Sequence, residues 1–211
     1  MENTLVDIAK ELSERWHRGH KRRSGDSDYV EHSRRVAKKL SEHGYGDTVT
    51  QCIAHLHDTI EMTEDIELVR ELYHYKGDDD YSARLRDAIA FNERLALWRM
   101  GIVYATFGSE IGDGLFVLSE NMGDVGEAGA VKTDAYKERL VNSPDFVQRV
   151  KVVDFLDNST DMGVYGFFSR LDRIREGDGF YIPMARRVGP LKLAEELELV
   201  IGNARDEFVD L

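Results

Sequence analysis

Apolar residues recur along most of the chain at the three- and four-residue spacing of an amphipathic helix. In the first such stretch, residues 3–16, the side chains of Leu5, Ile8, Leu12 and Trp16 fall on one face. No stretch shows a convincing strand pattern, and the chain has only three prolines. The pattern therefore predicts an all-α fold.

Helices are predicted wherever this spacing is sustained. They cover residues 3–16, 29–43, 47–60, 66–75, 81–106, 109–121, 132–141, 145–162, 164–175 and 189–208. Asp47 is a candidate N-cap, and Gly44 marks the end of the helix before it. The glycine-rich residues 122–130 are expected to form a mobile loop, and the glycines at 177–179 to break a helix.

The chain has 211 residues, enough for one domain with a substantial core. Its single cysteine, Cys52, cannot form an internal disulfide, and the N-terminus lacks the pattern of a signal peptide. No apolar run approaches the roughly 20 residues of a membrane span. We therefore expect a cytoplasmic protein without a membrane segment.

The charge balance argues against two classes of partner. Twenty-eight Lys and Arg residues stand against 40 Asp and Glu residues, a net charge of −12. A field of this sign repels nucleic acid and anionic membranes, so neither is expected to bind. An anionic substrate would need a metal ion or a basic cluster. Residues 17–23 form such a cluster, for which a solvated face is the alternative interpretation.

A histidine–aspartate pair in an apolar stretch is the first candidate for metal binding. His57 and Asp58 are adjacent, so on a helix their side chains diverge by about 100° yet share an edge. Glu61 lies one turn further along that edge. Imidazole combined with carboxylate suits a first-row divalent cation. A solvated pair at the end of a helix is the alternative.

A second group of polar residues lies in a valine-rich helix further along the chain. Asp154, Asp157 and Asp161 recur there at spacings of three and four, beside Asn158. A carboxylate stripe in so apolar a helix favours a site over a solvent face. With His32 early in the second helix, the order His, then His-Asp, then a distant Asp is typical of a metal-binding set.

This order resembles the H…HD…D signature of the HD-domain metal-dependent phosphohydrolases. Flanking stretches narrow the resemblance to the RelA/SpoT-type hydrolase domain, including its small alarmone hydrolase relatives. The stretches are residues 17–32, 57–63, 107–111 and 151–158, in the family's order over roughly residues 8–165.

The resemblance implies an all-helical HD bundle that removes the 3′-diphosphate of (p)ppGpp, the alarmone of the stringent response, with Mn²⁺ as the expected metal. It also implies roles for individual residues. His32, His57, Asp58 and Asp154 would bind the metal, Asp58 and Glu61 would act in catalysis, and Arg22, Arg23, Lys151 and Asn158 would bind the nucleotide. Tyr136 and Lys137 are further candidates for phosphate binding, with an exposed helix face as the alternative.

Two positions depart from the family pattern. Met62 stands where the family has an acid after Glu61, and a thioether cannot replace that acid in the hydrogen-bond network of the nucleophile. Thr160 stands where many members have an arginine, which bears on recognition of the base or the phosphates. Three consequences of Met62 stay open: the rate falls, Glu61 acts alone, or Glu64 or Asp65 takes the place of the missing acid.

The domain organisation is expected to be a single domain over 1–211. Residues at about 65–101 are interpreted as a helical insertion, and those from about 164 as a C-terminal helical extension with no synthetase region after it. The insertion is compatible with a lid, a substrate-selecting cap or the surface of a homo-oligomer.

Two other functions stay open. One is hydrolysis of another nucleotide, such as ppApp, a dNTP or a nucleoside monophosphate, which Thr160 and the insertion favour. The other is a nucleotide-binding module without turnover, for which Met62 is the sequence support. The presence of all four inferred metal ligands argues against the second.

Overall fold

The computed structural model describes residues 4–20, 28–60, 94–119 and 129–209, and these ranges contain helices and no β-strand. The helices, numbered in chain order, are α1 (Leu5–Trp16), α2 (Tyr29–Glu42), α3 (Thr48–Leu56), α4 (94–107), α5 (Ser109–Leu118), α6 (Gly129–Val141), α7 (Asp145–Thr160), α8 (Phe167–Glu176), α9 (Ile182–Val188) and α10 (Leu191–Val209). A short 3₁₀ turn, Met162–Val164, precedes α8. The all-α class expected from the sequence is confirmed.

Helix α7 lies at the centre of the fold, packed against α2, α3, α5, α6, α9 and α10. Side chains on all its sides are buried, among them Val153, Phe155 and Leu156. A helix whose side chains are buried on all sides is normally one that the protein surrounds completely. Asp154 and Asp157 are buried on the same helix. Their carboxylates must therefore be paired within the protein.

Side chains and glycine set the ends of the first three helices. Thr4 and Asp7 form a capping box at the start of α1, each side chain accepting from the other's backbone N–H at 3.2 Å. The Asp47 carboxylate accepts from the N–H of Thr50 at 2.9 Å at the start of α3, which confirms the predicted cap. Gly44 follows α2 with a φ of 88°, which confirms the predicted stop.

The predicted break at residues 177–179 is wrong, because the chain stays helical there. Gly177–Tyr181 forms a π-helical turn that joins α8 directly to α9. Gly177 is needed for close packing and not for a bend. A Cβ at this position would lie only 2.8 Å from Cδ1 of Ile201 on α10.

Helix α9 was not predicted from the hydrophobic pattern. Pro183 lies in the first turn of this helix, directly after the π-helical turn. Ile182, Ala185 and Val188 recur every three residues and are buried, so a short helical period was present in the sequence. Just before α9, Tyr181 stacks on Phe155 of α7 with ring centroids 3.9 Å apart.

Several predicted segments lie outside the described residues. They are the helix at 66–75, the first part of the helix at 81–106 and most of the loop at 122–130. The boundary expected near residue 101 for the insertion falls inside α4. Helix α6 begins at Gly129, three residues before the predicted start. Among the helices of the described ranges, none has the length and apolar character needed to cross a membrane.

His55 on α3 provides a test of the buried core by pH. The side chain is 5% exposed, and burial, with the charge of Lys10, lowers its pKa to about 4. An unfolded histidine titrates near 6.5, so below that pH the unfolded chain binds more protons and stability is lost as the pH falls towards 4. Between pH 7 and 4, the free energy of unfolding should fall by about 3 kcal/mol more in the wild type than in His55→Phe. Urea denaturation at several pH values measures this, and a pH-independent difference between the two proteins would contradict it.

Candidate metal centre

Four side chains from α2, the end of α3 and α7 converge on one point. They belong to His32, His57, Asp58 and Asp154, and one ligand atom of each lies within 4.8 Å of all the others. Nε2 of His32 is 2.9 Å from Oδ1 of Asp154 and 3.5 Å from Oδ2 of Asp58. Nε2 of His57 is 3.4 Å and 3.5 Å from the same two oxygens, of Asp58 and Asp154 respectively. The sequence-predicted set is thus brought together by three separate helices.

These separations are those of ligands arranged around a divalent cation. With metal–ligand distances of about 2.1 Å, ligands 90° apart are about 3.0 Å from each other, and tetrahedral ligands about 3.4 Å. The Nε2 atoms of His32 and His57 are 3.2 Å apart, in the same range. Two imidazoles with two carboxylates also form a donor set that first-row divalent cations accept. The residues present therefore fit a divalent metal ion.

The end of α3 orients His57. The helix ends at Leu56, four residues before the predicted end, and His57 still has helical backbone angles. Its Nδ1 lies 2.8 Å from the carbonyl oxygen of Ala54, to which it donates. The lone pair of Nε2 can then face the cluster, because the two ring nitrogens of a neutral histidine take opposite roles.

A carboxylate and a guanidinium lie behind His32. Nδ1 of His32 is 2.7 Å from Oδ2 of Asp157, and Arg35 donates to the two oxygens of Asp157, from Nε and Nη2, at 2.8 Å. A carboxylate that accepts from the outer nitrogen of a ligating histidine recurs in metal sites, where it fixes the ring and its tautomer. Asp157 belongs to the predicted polar stripe of α7, whereas Arg35 was not predicted to have a role. The available signal was its position three residues after His32, on the same face of α2.

Asp154 is held by its own helix as well as by His32. Lys151, one turn before it, places Nζ 2.9 Å from Oδ2 of Asp154. Asn158, one turn after it, donates from Nδ2 to Oδ1 at 2.6 Å. Both side chains are predicted to bind the nucleotide, and the structure places both against a candidate metal ligand. Their role towards a substrate stays a prediction.

The four converging side chains together stabilise a positive charge bound between them. Burial lowers the pKa of His32, but the hydrogen bonds with Asp154 and Asp157 outweigh it and raise the pKa to about 9. Burial also opposes a charge on His57, and the negative charge of Asp58 nevertheless raises its pKa. For Asp154, burial is outweighed by Lys151 and His32, which hold the pKa of the carboxyl well below its usual range. A proton or a cation is therefore bound readily at this point.

The remaining predicted phosphate-binding residues have their own contacts. Tyr136 is buried, with its hydroxyl 3.5 Å from the carbonyl oxygen of Leu118 and its ring centroid 5.8 Å from Nζ of Lys151. Lys137 forms an ion pair with Glu176, Nζ to Oε1 at 3.2 Å. Three further candidates lie outside the described residues: Arg22, Arg23 and Glu61.

Arg99 supports the turn that carries Asp58, and sequence analysis did not identify it. This residue of α4 is buried, and its Nη1 donates to the carbonyl oxygen of Thr59 at 2.8 Å. Its guanidinium also lies 5.5 Å from the ring centroid of Trp16. The backbone just after Asp58 is thereby tied to α4 and to the end of α1. The only signal in the sequence is an arginine within an apolar helical run.

Two known proteins with similar sequences carry the name GTP pyrophosphokinase. No family model matches the chain. A GTP pyrophosphokinase of Streptomyces coelicolor is 46% identical over 59 residues, covering 28% of this chain and 7% of that protein. A GTP pyrophosphokinase of Streptomyces antibioticus is 28% identical over 193 residues, covering 92% of this chain and 19% of that protein. The chain thus spans about a fifth or less of the length of these relatives.

The chain shares its all-helical fold with a protein of known structure. A solved structure with this fold matches it with a TM-score of 0.67 at 17% identity, covering 96% of this chain and 97% of the other. That structure is described as a metazoan ortholog of SpoT that hydrolyzes ppGpp and plays a role in starvation responses. The resemblance inferred from the sequence motifs is therefore confirmed at the level of the fold.

Asp157, whose carboxylate contacts Nδ1 of His32, provides a test of the candidate metal centre. In Asp157→Asn the negative charge facing Nδ1 is lost, and the affinity for Mn²⁺ should fall by about 10- to 100-fold although Asp157 is not a candidate ligand. Asp145→Asn, an exposed position on the same helix, should bind Mn²⁺ like the wild type. Calorimetric titration of the metal-free proteins measures both. Equal affinities for Asp157→Asn and the wild type would contradict a role for this residue in holding His32.

Proposed function

We propose that the protein is a metal-dependent hydrolase that removes the 3′-diphosphate of (p)ppGpp, giving GDP or GTP and pyrophosphate. The convergence of two histidines and two aspartates in the centre of an HD-type fold is the observation that carries the proposal. The choice of substrate is supported by the motif resemblance and by the described activity of the protein that shares the fold. The name of the Streptomyces relatives also concerns a guanine nucleotide.

The metal ion would be held by His32, His57, Asp58 and Asp154, and we take Mn²⁺ as the metal to test first. When bound, a divalent cation would supply polarisation of a phosphoryl oxygen and activation of the attacking water. The distances between the ligand atoms of these four residues support their assignment to a divalent metal ion.

The chain's own residues would prepare the site and move the proton. Asp157 and Arg35 hold the ring of His32, while Lys151 and Asn158 hold the carboxylate of Asp154. Glu61 is proposed to accept the proton of the attacking water as its oxygen bonds to phosphorus. The bond from phosphorus to the ribose 3′ oxygen then breaks, and that oxygen takes the proton from Glu61 to become a hydroxyl as pyrophosphate leaves.

Basic side chains are needed to bind so anionic a substrate. The two aspartates offset the double positive charge of the metal, and the protein as a whole carries −12. We assign the nucleotide to Arg22 and Arg23, since a guanidinium can both pair with phosphate and stack on a base. Lys151 lies on the metal side of the site, where its ammonium would contact a phosphate as well as Asp154.

A different nucleotide is a second candidate substrate, favoured by Thr160. Its hydroxyl donates to the carbonyl oxygen of Asp157 at 2.7 Å, so the side chain completes the end of α7. The guanidinium that many family members carry here is thus replaced by a group engaged with its own backbone. Recognition of the base or of a phosphate would differ accordingly.

A hydrolysis panel tests the proposal. Mn²⁺-loaded protein incubated with ppGpp should release pyrophosphate and GDP, and Asp58→Ala should not, because it lacks one of the four ligands. The same assay with ppApp, dNTPs and nucleoside monophosphates tests the second candidate. GTP supplied with ATP tests the reaction that the name of the relatives describes. Activity on another nucleotide without ppGpp turnover would overturn the substrate assignment, and turnover that persists in Asp58→Ala would overturn the site.

The proposed base is tested by Glu61→Gln. This variant keeps the size of the side chain and removes its ability to accept a proton, so kcat should fall by about 10²- to 10⁴-fold with Mn²⁺ affinity unchanged. Glu64→Gln is the matched control, because Glu64 is the nearby acid that could substitute. A larger loss in Glu64→Gln than in Glu61→Gln would transfer the role to Glu64.

A further inference from the structure

His17, directly after α1, is a buried polar side chain that the site described above does not use. It is 2% exposed, and neither of its ring nitrogens has a hydrogen-bond partner among the described residues. Buried polar groups in proteins are nearly always paired, so an imidazole with two unpaired nitrogens requires an explanation. The sequence placed His17 in a basic cluster, but a ring so deeply buried does not contribute to a solvated basic face.

The backbone of His17 is hydrogen-bonded on both sides, so the missing partners of the ring do not come from a frayed end. Its N–H donates to the carbonyl oxygen of Ser13 at 2.9 Å, and its own carbonyl oxygen accepts from the N–H of His20 at 3.0 Å. The ring stacks on Tyr29 with centroids 5.1 Å apart and planes at 24°. The position of the imidazole is therefore fixed by α1, the following turn and α2.

A short series of rings leads from His17 to the candidate metal ligands. Tyr29 meets His32 edge to face with centroids 6.1 Å apart, and His32 meets His57 in the same way at 5.1 Å. His17 also lies in the field of Asp58 and His57, whose charges act on its ring. One ring, that of Tyr29, thus separates His17 from the candidate ligand His32 on the side of α1.

The ring of His17 is neutral at physiological pH. Burial lowers its pKa to about 4, although the charge of Asp58 acts in the opposite direction. A neutral imidazole offers one N–H donor and one lone pair. An N–H held near the metal ligands can bind an oxygen of a phosphorylated compound, and a hydrogen bond to a charged oxygen is among the stronger ones.

We infer that His17 is a substrate-binding residue, which donates its ring N–H to an oxygen of the phosphorylated nucleotide beside Asp58. The inference rests on the proposed function and adds to it a residue of α1 that lies outside the metal-ligand set. It also gives a reason for retaining an unpaired imidazole where a phenyl ring would fit the same stack. The polar atoms lower the stability of the free protein and are satisfied when substrate is bound.

The variant His17→Phe separates binding from folding, because a phenyl ring keeps the stack on Tyr29 and removes both nitrogens. Its KM for ppGpp should rise about tenfold, the factor that one lost hydrogen bond produces, with kcat changed less and Mn²⁺ content unchanged. The melting temperature of the substrate-free protein should be equal to that of the wild type or higher. His17→Asn and His17→Gln, which each restore a polar group, should recover part of the loss in KM.

His55→Phe is the matched control, since His55 is a second buried histidine whose pKa burial also lowers to about 4. This variant should leave the KM for ppGpp unchanged. A lower melting temperature in His17→Phe with an unchanged KM would show a structural role and overturn the inference. An equal rise in KM for both variants would also overturn it.

The two proposals fail in different ways. If the wild type does not turn over ppGpp, the proposed function fails, and the inference about His17 is then tested by calorimetric binding of GDP and pyrophosphate to the Mn²⁺-loaded protein. Binding weakened about tenfold in His17→Phe supports the inference. Equal binding of both compounds by the two proteins overturns it whatever the activity.

Discussion

An ionised carboxylate inside the apolar centre is the constraint on which this structure depends. Asp154 lies on α7, the helix that six others surround, and a buried carboxylate without partners would be too costly to keep. Lys151 and Asn158 reach it from the same helix, and His32 reaches it from α2. The contact of His32 with Asp154 therefore packs α2 against α7 and also brings the candidate metal ligands together. Removal of one partner of such a buried pair typically costs about 3–5 kcal/mol.

Two electrostatic demands act against each other in this protein. The whole chain repels anions, whereas the proposed substrate is strongly anionic. Several basic side chains of the described ranges are paired with acids in the fold, such as Lys39 with Glu196 and Lys137 with Glu176. The attraction for a phosphorylated ligand must then be local. It would come from the metal, from the basic side chains of residues 18–23 and from neutral donors such as the N–H of His17.

The sequence predicted those features that depend on local pattern or on motif order. The helical class follows from apolar spacing, and the pairing of His57 with Asp58 is local in the chain. Their convergence with His32 and Asp154 followed from the order of the motif, and the structure brings these residues together.

Features that depend on a distant partner could not be predicted in the same way. Arg35 has no visible role until Asp157 lies opposite it, and Arg99 has none until the carbonyl of Thr59 is in place. Gly177 was misinterpreted for the same reason, since only the approach of Ile201 explains a glycine there. Burial of Tyr136 likewise depends on the packing of α6, which the neighbouring residues in the sequence do not reveal.

The π-helical turn at Gly177–Tyr181 determines where this protein can vary in length. A π turn accommodates one more residue than the α-helical turn it replaces, so deletion of one residue there would restore an ordinary helix. Because the wider turn already takes up the extra residue, α9 would keep its rotation relative to α8, and its faces would still meet α7 and α10. Deletion of one residue within α8 would instead rotate the side chains on its two sides by about 100° relative to each other. A change of one residue should therefore be tolerated at this joint and not within the helices on either side of it, which pack into the core that supports the candidate metal ligands.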